Sequence, residues 1–244
     1  MNKLIFQLAA ANQRTHSAPM KDNATVNSSA TVPAWLKWAY TAFMAILVPI
    51  YWANYGPTNF LYFCDAALFL TLFAVWRNSP LAASMAAVGI LIPQIVWCLD
   101  FSGQFVGLPL TGMTKYMFDP ARPLYLRGLS LFHGWLPFLL VFLVWRLGYD
   151  RRALRAWTGL AWTLCLVCFF LMPGPSVEGA KAAAPVNINY VYGMSDSAPQ
   201  SWMPAGAYLI IYMLGLATVF YLPTHFLLKK FLPHPAARTT QDKE

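Results

Sequence analysis

A cysteine and an aspartate stand side by side in the apolar run NFLYFCDAALFL, residues 59 to 70, and a histidine follows in LFHGWLP at position 133. A thiol becomes a good nucleophile when a neighbouring base draws off its proton, and an imidazole commonly does so. Cys64 and His133 are therefore the candidate catalytic pair, with Asp65 or another acceptor to fix the imidazole tautomer. Such a pair would attack an ester and hold the acyl group as a thioester. Water would complete a hydrolysis, and a lipid alcohol or amine would complete a transfer. Adjacent helical residues point about 100° apart, so Cys64 and Asp65 cannot face His133 equally, and Asp65 is placed to orient another group such as Arg127. The structural alternative is that Asp65 pins helices together through Arg127 or His133, with His133 a packing hydrogen-bonder.

Helices within a membrane must position these residues. The chain has 244 residues, 58% hydrophobic and 11% charged, whereas soluble domains carry roughly twice that share of charge. Apolar runs of bilayer-crossing length recur without period-two alternation, which excludes a barrel. The pattern predicts an all-α polytopic membrane bundle of about six transmembrane helices, at 34–55, 59–76, 80–101, 124–148, 152–172 and 205–231. YGPT, RNSP and MPGP punctuate the spans, and Pro49, Pro93, Pro137 and Pro223 lie inside them as expected kinks. The bundle is expected over 34–232, between a polar, disordered cytoplasmic tail at 1–33 and a cytoplasmic tail at 233–244.

The net charge of +8 is a matter of topology rather than of nucleic-acid binding. Lys115, Arg122, Arg127 and Lys181 fall on one side of the predicted membrane, and all other lysines and arginines fall on the opposite side. The positive-inside rule then places both termini in the cytoplasm of a multi-pass inner (plasma) membrane protein. Trp35, Trp38, Tyr51, Trp52, Trp145 and Tyr149 sit at span ends, where interfacial anchors are expected. The opening MNKLIFQLAAANQ faintly has the make-up of a signal peptide, but Gln7 breaks its short apolar run and a surface helix or disorder is the preferred reading. The two long loops, SGQFVGLPLTGMTKYMFDPARP and GPSVEGAKAAAPVNINYVYGMSDSAPQSWMP, are on the external side, so the functional face is expected there.

At 1.5 Å per residue, Cys64 and Asp65 lie roughly 8–10 Å below the outer surface. Gln94, Trp97 and Cys98 fall at comparable depth, Asp100 and Arg127 near the rim, and Ser130 and His133 below it. Asn189 and Tyr190, in the last outer loop, could cap the same place. Gln94, Asp100, Arg127, Ser130, Asn189 and Tyr190 join Asp65 as supporting or substrate-binding candidates, since polar groups at such depth are functional candidates by default. His225 lies at the inner end of the last span, too far in depth from His133 to share a haem iron, and a lone histidine at this level does not make a zinc site. Cys165 and Cys168 read as small apolar fillers rather than a redox pair. No metal or cofactor is called for, and membrane lipids are the expected partners.

NFLYFCDAALFL resembles the Cys-Asp-containing second-span motif of YwaF-like bacterial integral membrane proteins, which are distantly similar to multi-span lipid acyltransferases and to hydrolases of fatty-acid esters of hydroxy fatty acids. Gln94 in LIPQIVW, His133 in LFHGWLP, and Asn189 and Tyr190 in NINYVYG ahead of WMPAGAYLI follow in the same order. Over about residues 55–225 this resemblance implies a helical bundle with a membrane-embedded nucleophile and histidine, at Cys64 and His133 here. AAVGILIP departs from the usual glycine-rich approach to the glutamine. Lipid acyl-ester hydrolysis or transfer is thus one expectation. A non-catalytic lipid-binding, assembly or scaffold role is another, with a small-solute transporter third. A Cys64 thiol against a His133 ring nitrogen would favour the enzyme; separate partners would favour packing or binding.

Overall fold

The computed structural model describes residues 31–108 and 110–232, and the expectations for the two tails, residues 31–33 apart, and for a signal segment fall on residues outside that range. The described residues form an all-α bundle: α1 (Ala34–Tyr55), α2 (Phe63–Arg77), α3 (Pro80–Phe105), α4 (Leu124–Ser130), α5 (Phe132–Leu147), α6 (Ala153–Leu171), α7 (Ala205–Gly215) and α8 (Leu222–Phe231). A break at Leu131 divides α4 from α5, and a π-helical segment, Leu216–Tyr221, joins α7 to α8. Five passes are long and apolar enough to cross a membrane: Ala34–Tyr55, Pro80–Phe105, Leu124–Leu147, Ala153–Leu171 and Ala205–Phe231. The second predicted span is shorter than expected. Its first residues form a 3-10 turn, Pro57–Leu61, and α-helix begins only at Phe63. The chain is a multi-pass membrane protein.

α3 is the central helix, packing against α2, α5, α6 and α8. Its first half, with Ala82, Ala83, Ser84, Ala86, Ala87 and Gly89 all buried, explains why. Without a hydrophobic force between helices in lipid, association rests on close van der Waals packing, which small residues permit. Gly89 is the extreme case, because a Cβ there would lie 1.9 Å from the Trp157 ring. Local caps fit the chain to its turns. Ser79 accepts from Ala82 N and Pro80 opens α3. Asn78 adopts the left-handed conformation after α2, and its side chain accepts Val32 N–H at 2.8 Å.

These contacts also give the bundle two distinct ends. At one, Val32 meets Asn78, Arg146 Nε donates to Thr31 O, Asp150 N donates to Ser84 Oγ, and Tyr149 hydrogen-bonds His225 Nδ1 at 2.6 Å. At the other, Arg122 meets Tyr55, Tyr125 meets Asn54, and residues 187–192 fold onto the start of α2. Trp35, Trp38, Trp52 and Trp145 are exposed at the helix ends, as anchors should be. Tyr51 and Tyr149 are not: both are at least 96% buried, with hydroxyls bonded inside the bundle. Position near a span end suggested an interface, but the helix face of Tyr51 and the turn after α5 that carries Tyr149 direct them inward.

Candidate functional site

The start of α2 is built by a distant side chain. Tyr62 is extended, which interrupts helical bonding between the 3-10 turn and α2. Asn189 repairs the break: its Nδ2 donates to Leu61 O at 2.9 Å and its Oδ1 accepts Phe63 N–H at 3.0 Å. Nδ2 also lies 3.6 Å from Cys168 Sγ. Asn189 is thus a buried clamp that sets where Cys64 begins the helix. It, Asn187 and Tyr190 all have positive φ. Asparagine tolerates this conformation, while tyrosine is strained in it. Asn187 holds the segment in shape, donating to Gly193 O and Ser195 O and accepting from Tyr192 N.

In the first turn of α2, Asp65 is 3% exposed. Its Oδ2 accepts from Asn59 Nδ2 at 3.3 Å and faces Cys64 Sγ at 3.8 Å, while Oδ1 has no hydrogen-bond partner. No ion pair joins Asp65 to Arg127 or His133. Arg127 instead donates from Nη1 to Met117 O, and its buried Nε is unpartnered. The helix N-terminus gives the carboxylate some electrostatic support.

His133 sits just past the Leu131 break. Its Nδ1 lies 2.8 Å from Ser130 O. A carbonyl can only accept, so Nδ1 carries the proton, and in the neutral ring Nε2 is then an acceptor. The ring stacks on Trp97 at 4.9 Å and on Phe132 at 4.0 Å. Pro137 has no N–H to offer the His133 carbonyl four residues back, and the Cys98 thiol takes that place at 3.7 Å. Cys64 and His133 share no hydrogen bond. The thiol that meets the histidine residue is Cys98, and it meets the backbone.

The other candidates divide into two groups. Asp100, near the end of α3, holds the loop that follows: its carboxylate accepts from Thr111 N, Gly112 N, Thr114 N and Thr114 Oγ1, at 2.6 to 2.9 Å. Four donors leave it little capacity for a ligand. Ser130 shares a 2.9 Å hydrogen bond with Tyr51 and bonds Leu126 O. Gln94 is buried with Oε1 unpartnered, and one turn further along α3 the buried Trp97 Nε1 is unpartnered too. Tyr116, in the loop before α4, lies in this neighbourhood. Burial pushes its phenol up, the polar groups of Trp97 and Ser130 nearby oppose that without a formed hydrogen bond, and Cys64 and Tyr190 add to it. Burial, then Asp196 and Cys64, push the Tyr190 phenol up to about 12. The loop that carries Tyr190 packs on the start of α2 through Asn189. Asn59, Tyr51 and Tyr116 were not among the sequence candidates; only their proximity to a polar span segment hinted at a role.

Two openings flank this layer. Toward the long-loop end, a cavity of about 560 Å³ is lined by Asn54, Tyr55, Asp119, Arg122, Leu126 and Lys181, among others. On the bundle side, an apolar groove of about 340 Å³ runs between α3, α5 and α8 and includes Cys98, Gly134 and Pro137. Among the described residues, no three His, Cys, Asp or Glu side chains gather to hold a metal. Comparison of the chain with models of known protein families, with curated proteins and with solved structures finds no match.

Proposed function

We propose that this protein binds the ester-bearing polar region of a membrane lipid in the layer around Asp65, Gln94 and Trp97. In this reading both termini are cytoplasmic and the layer lies in the outer leaflet of the plasma membrane. The observation that carries it is the set of unpartnered buried atoms on adjoining helices: Asp65 Oδ1, Gln94 Oε1 and Trp97 Nε1. Each such atom costs about 1–3 kcal/mol if left unpaired, which a ligand with matching groups would recover. Two acceptors and one donor suit a lipid carrying a hydroxyl or amine donor beside an ester carbonyl.

Acyl-ester hydrolysis or transfer is the second reading, supported by a His133 tautomer that leaves Nε2 as an acceptor and by Cys64 next to the polar layer. Here the Cys64 sulfur would bond the ester carbonyl carbon, its proton passing to a base and then to the departing alkoxide. Water or a lipid alcohol would then release the acyl group. The separate partners of Cys64 and His133 favour binding over this chemistry.

One experiment tests both. Purified protein is offered alkyne-tagged ester lipids, then assayed for retained lipid by native mass spectrometry and for hydroxylamine-sensitive covalent label. Binding predicts retention by wild type, Cys64→Ala and His133→Ala, loss in Asp65→Leu and Gln94→Leu, and no covalent label. Retention unchanged in both Asp65→Leu and Gln94→Leu overturns the assigned layer. Label that requires both Cys64 and His133 establishes the enzyme instead.

A further inference from the structure

The 560 Å³ cavity at the long-loop end is walled by two separate connections: Asp119 and Arg122 come from the segment before α4, and Lys181 from the loop between α6 and α7. Arg122 is held in place. Its Nη1 donates to Tyr55 Oη at 3.3 Å and its guanidinium lies over the Tyr116 ring, 5.4 Å from the centroid. An arginine has five N–H donors, and this contact uses one of them. Arg122 and Lys181 form no ion pair with Asp119, although all three line one cavity. Asp119 Oδ1 is engaged by the N–H of Ala121 at 2.9 Å.

We propose that this cavity is a phosphate-ester site, in which Arg122 and Lys181 hold the phosphate and Asp119 takes a hydroxyl or ammonium donor on the same headgroup. Arginine suits phosphate because its planar fork gives charge-assisted, paired hydrogen bonds, and lysine adds a point charge. Two cations from independent loops face one space, where an anion between them would tie the loops together. Asp119 would repel a bare anion and so selects a phosphodiester bearing a donor. The volume is in the range of small-molecule sites. The cavity wall is also joined to the buried layer by side-chain contacts. Tyr55, on its wall, packs edge-on against Tyr51 at 5.3 Å, and Tyr51 hydrogen-bonds Ser130. That the phosphate belongs to a lipid rests on the lipid-binding reading; that the cavity takes phosphate does not.

The test uses the full chain in nanodiscs, with phosphatidylethanolamine, phosphatidylglycerol and diacylglycerol compared for retention by native mass spectrometry. Soluble glycerophosphoethanolamine and inorganic phosphate serve as competitors. Wild type is expected to retain the two phospholipids at least tenfold better than diacylglycerol. Arg122→Gln and Lys181→Gln are expected to remove that preference while still retaining diacylglycerol, and Arg122→Lys to restore part of it. Thermal unfolding of each variant confirms that it is folded. An unchanged phospholipid preference in folded Arg122→Gln and Lys181→Gln overturns the cavity assignment. The lipid layer is tested apart from it, by diacylglycerol retention in Asp65→Leu and Gln94→Leu. Displacement by glycerophosphoethanolamine at micromolar concentration, with no phospholipid preference, identifies a soluble phosphodiester as the ligand of the same site. Failure of every phosphate-bearing probe to bind overturns the proposal.

Discussion

Asn189 does the work of a missing peptide group. Its side-chain amide occupies the positions a backbone N–H and carbonyl would occupy if α2 continued unbroken from the 3-10 turn. Removing it leaves Leu61 O and Phe63 N–H unpaired in an apolar setting, at about 1–3 kcal/mol for each group. Asn189→Ala should therefore lower the midpoint of thermal unfolding in detergent well below that of wild type. Asn189→Asp keeps the acceptor for Phe63 N–H but loses the donor to Leu61 O, so it should fall between them; a midpoint equal to wild type for Asn189→Ala would refute the clamp. Asp100 follows the same logic at the other loop, since Asp100→Ala strips four donors of their acceptor at once. Limited proteolysis should then cut the 110–114 segment in the variant under conditions that spare wild type. The sequence identified Asn189 and Asp100 as polar residues near a site, and no more. For Asn189 the outcome depends on chain segments 126 and 128 residues away, and for Asp100 on how the following loop folds back 11 to 14 residues on, neither of which one-dimensional spacing encodes.

At the level of elements, hydrophobic run length carries most of the information, which is why five of the six expected passes appear with the predicted order and nearly the predicted ends. The second departs because Gly56 and Pro57 open a 3-10 turn, and the chain must then restart as α-helix at Phe63. Rotation about each axis was less legible. Tyr51 and Tyr149 look alike at span ends but turn inward, and the break at Leu131 aims His133 at Ser130 O and Trp97 rather than at Cys64. The Gly89–Trp157 contact gives a direct test of element packing. Gly89→Ala forces α3 and α6 apart or displaces Trp157, at about 1–3 kcal/mol for overpacking. Trp157→Leu vacates the contact, so adding Gly89→Ala to that background should cost markedly less. Equal losses in the two backgrounds, measured as a double-mutant cycle by thermal unfolding, would show that the crossing is looser than the contact implies.

Across the whole molecule, the two ends differ in construction, and the difference has a consequence for sidedness. The end that gathers Asn78, Arg146, Tyr149 and His225 has short connections, and Arg77, Arg151, Arg152, Lys229 and Lys230 lie there. The opposite end carries the long connections, Lys115, Arg122 and Lys181, and both the polar layer and the cavity of about 560 Å³. Positive charge flanking spans resists translocation, so the first end should remain inside. In a background with the native cysteines replaced by alanine, Lys181→Cys should react with a membrane-impermeant maleimide on intact cells. Arg152→Cys should react only after permeabilisation. The opposite labelling would invert the molecule and move the proposed lipid to the inner leaflet. The internal geometry of the layer would stand, because Asp65, Gln94 and Trp97 are placed relative to one another by helix packing, and not by the face of the membrane to which they open.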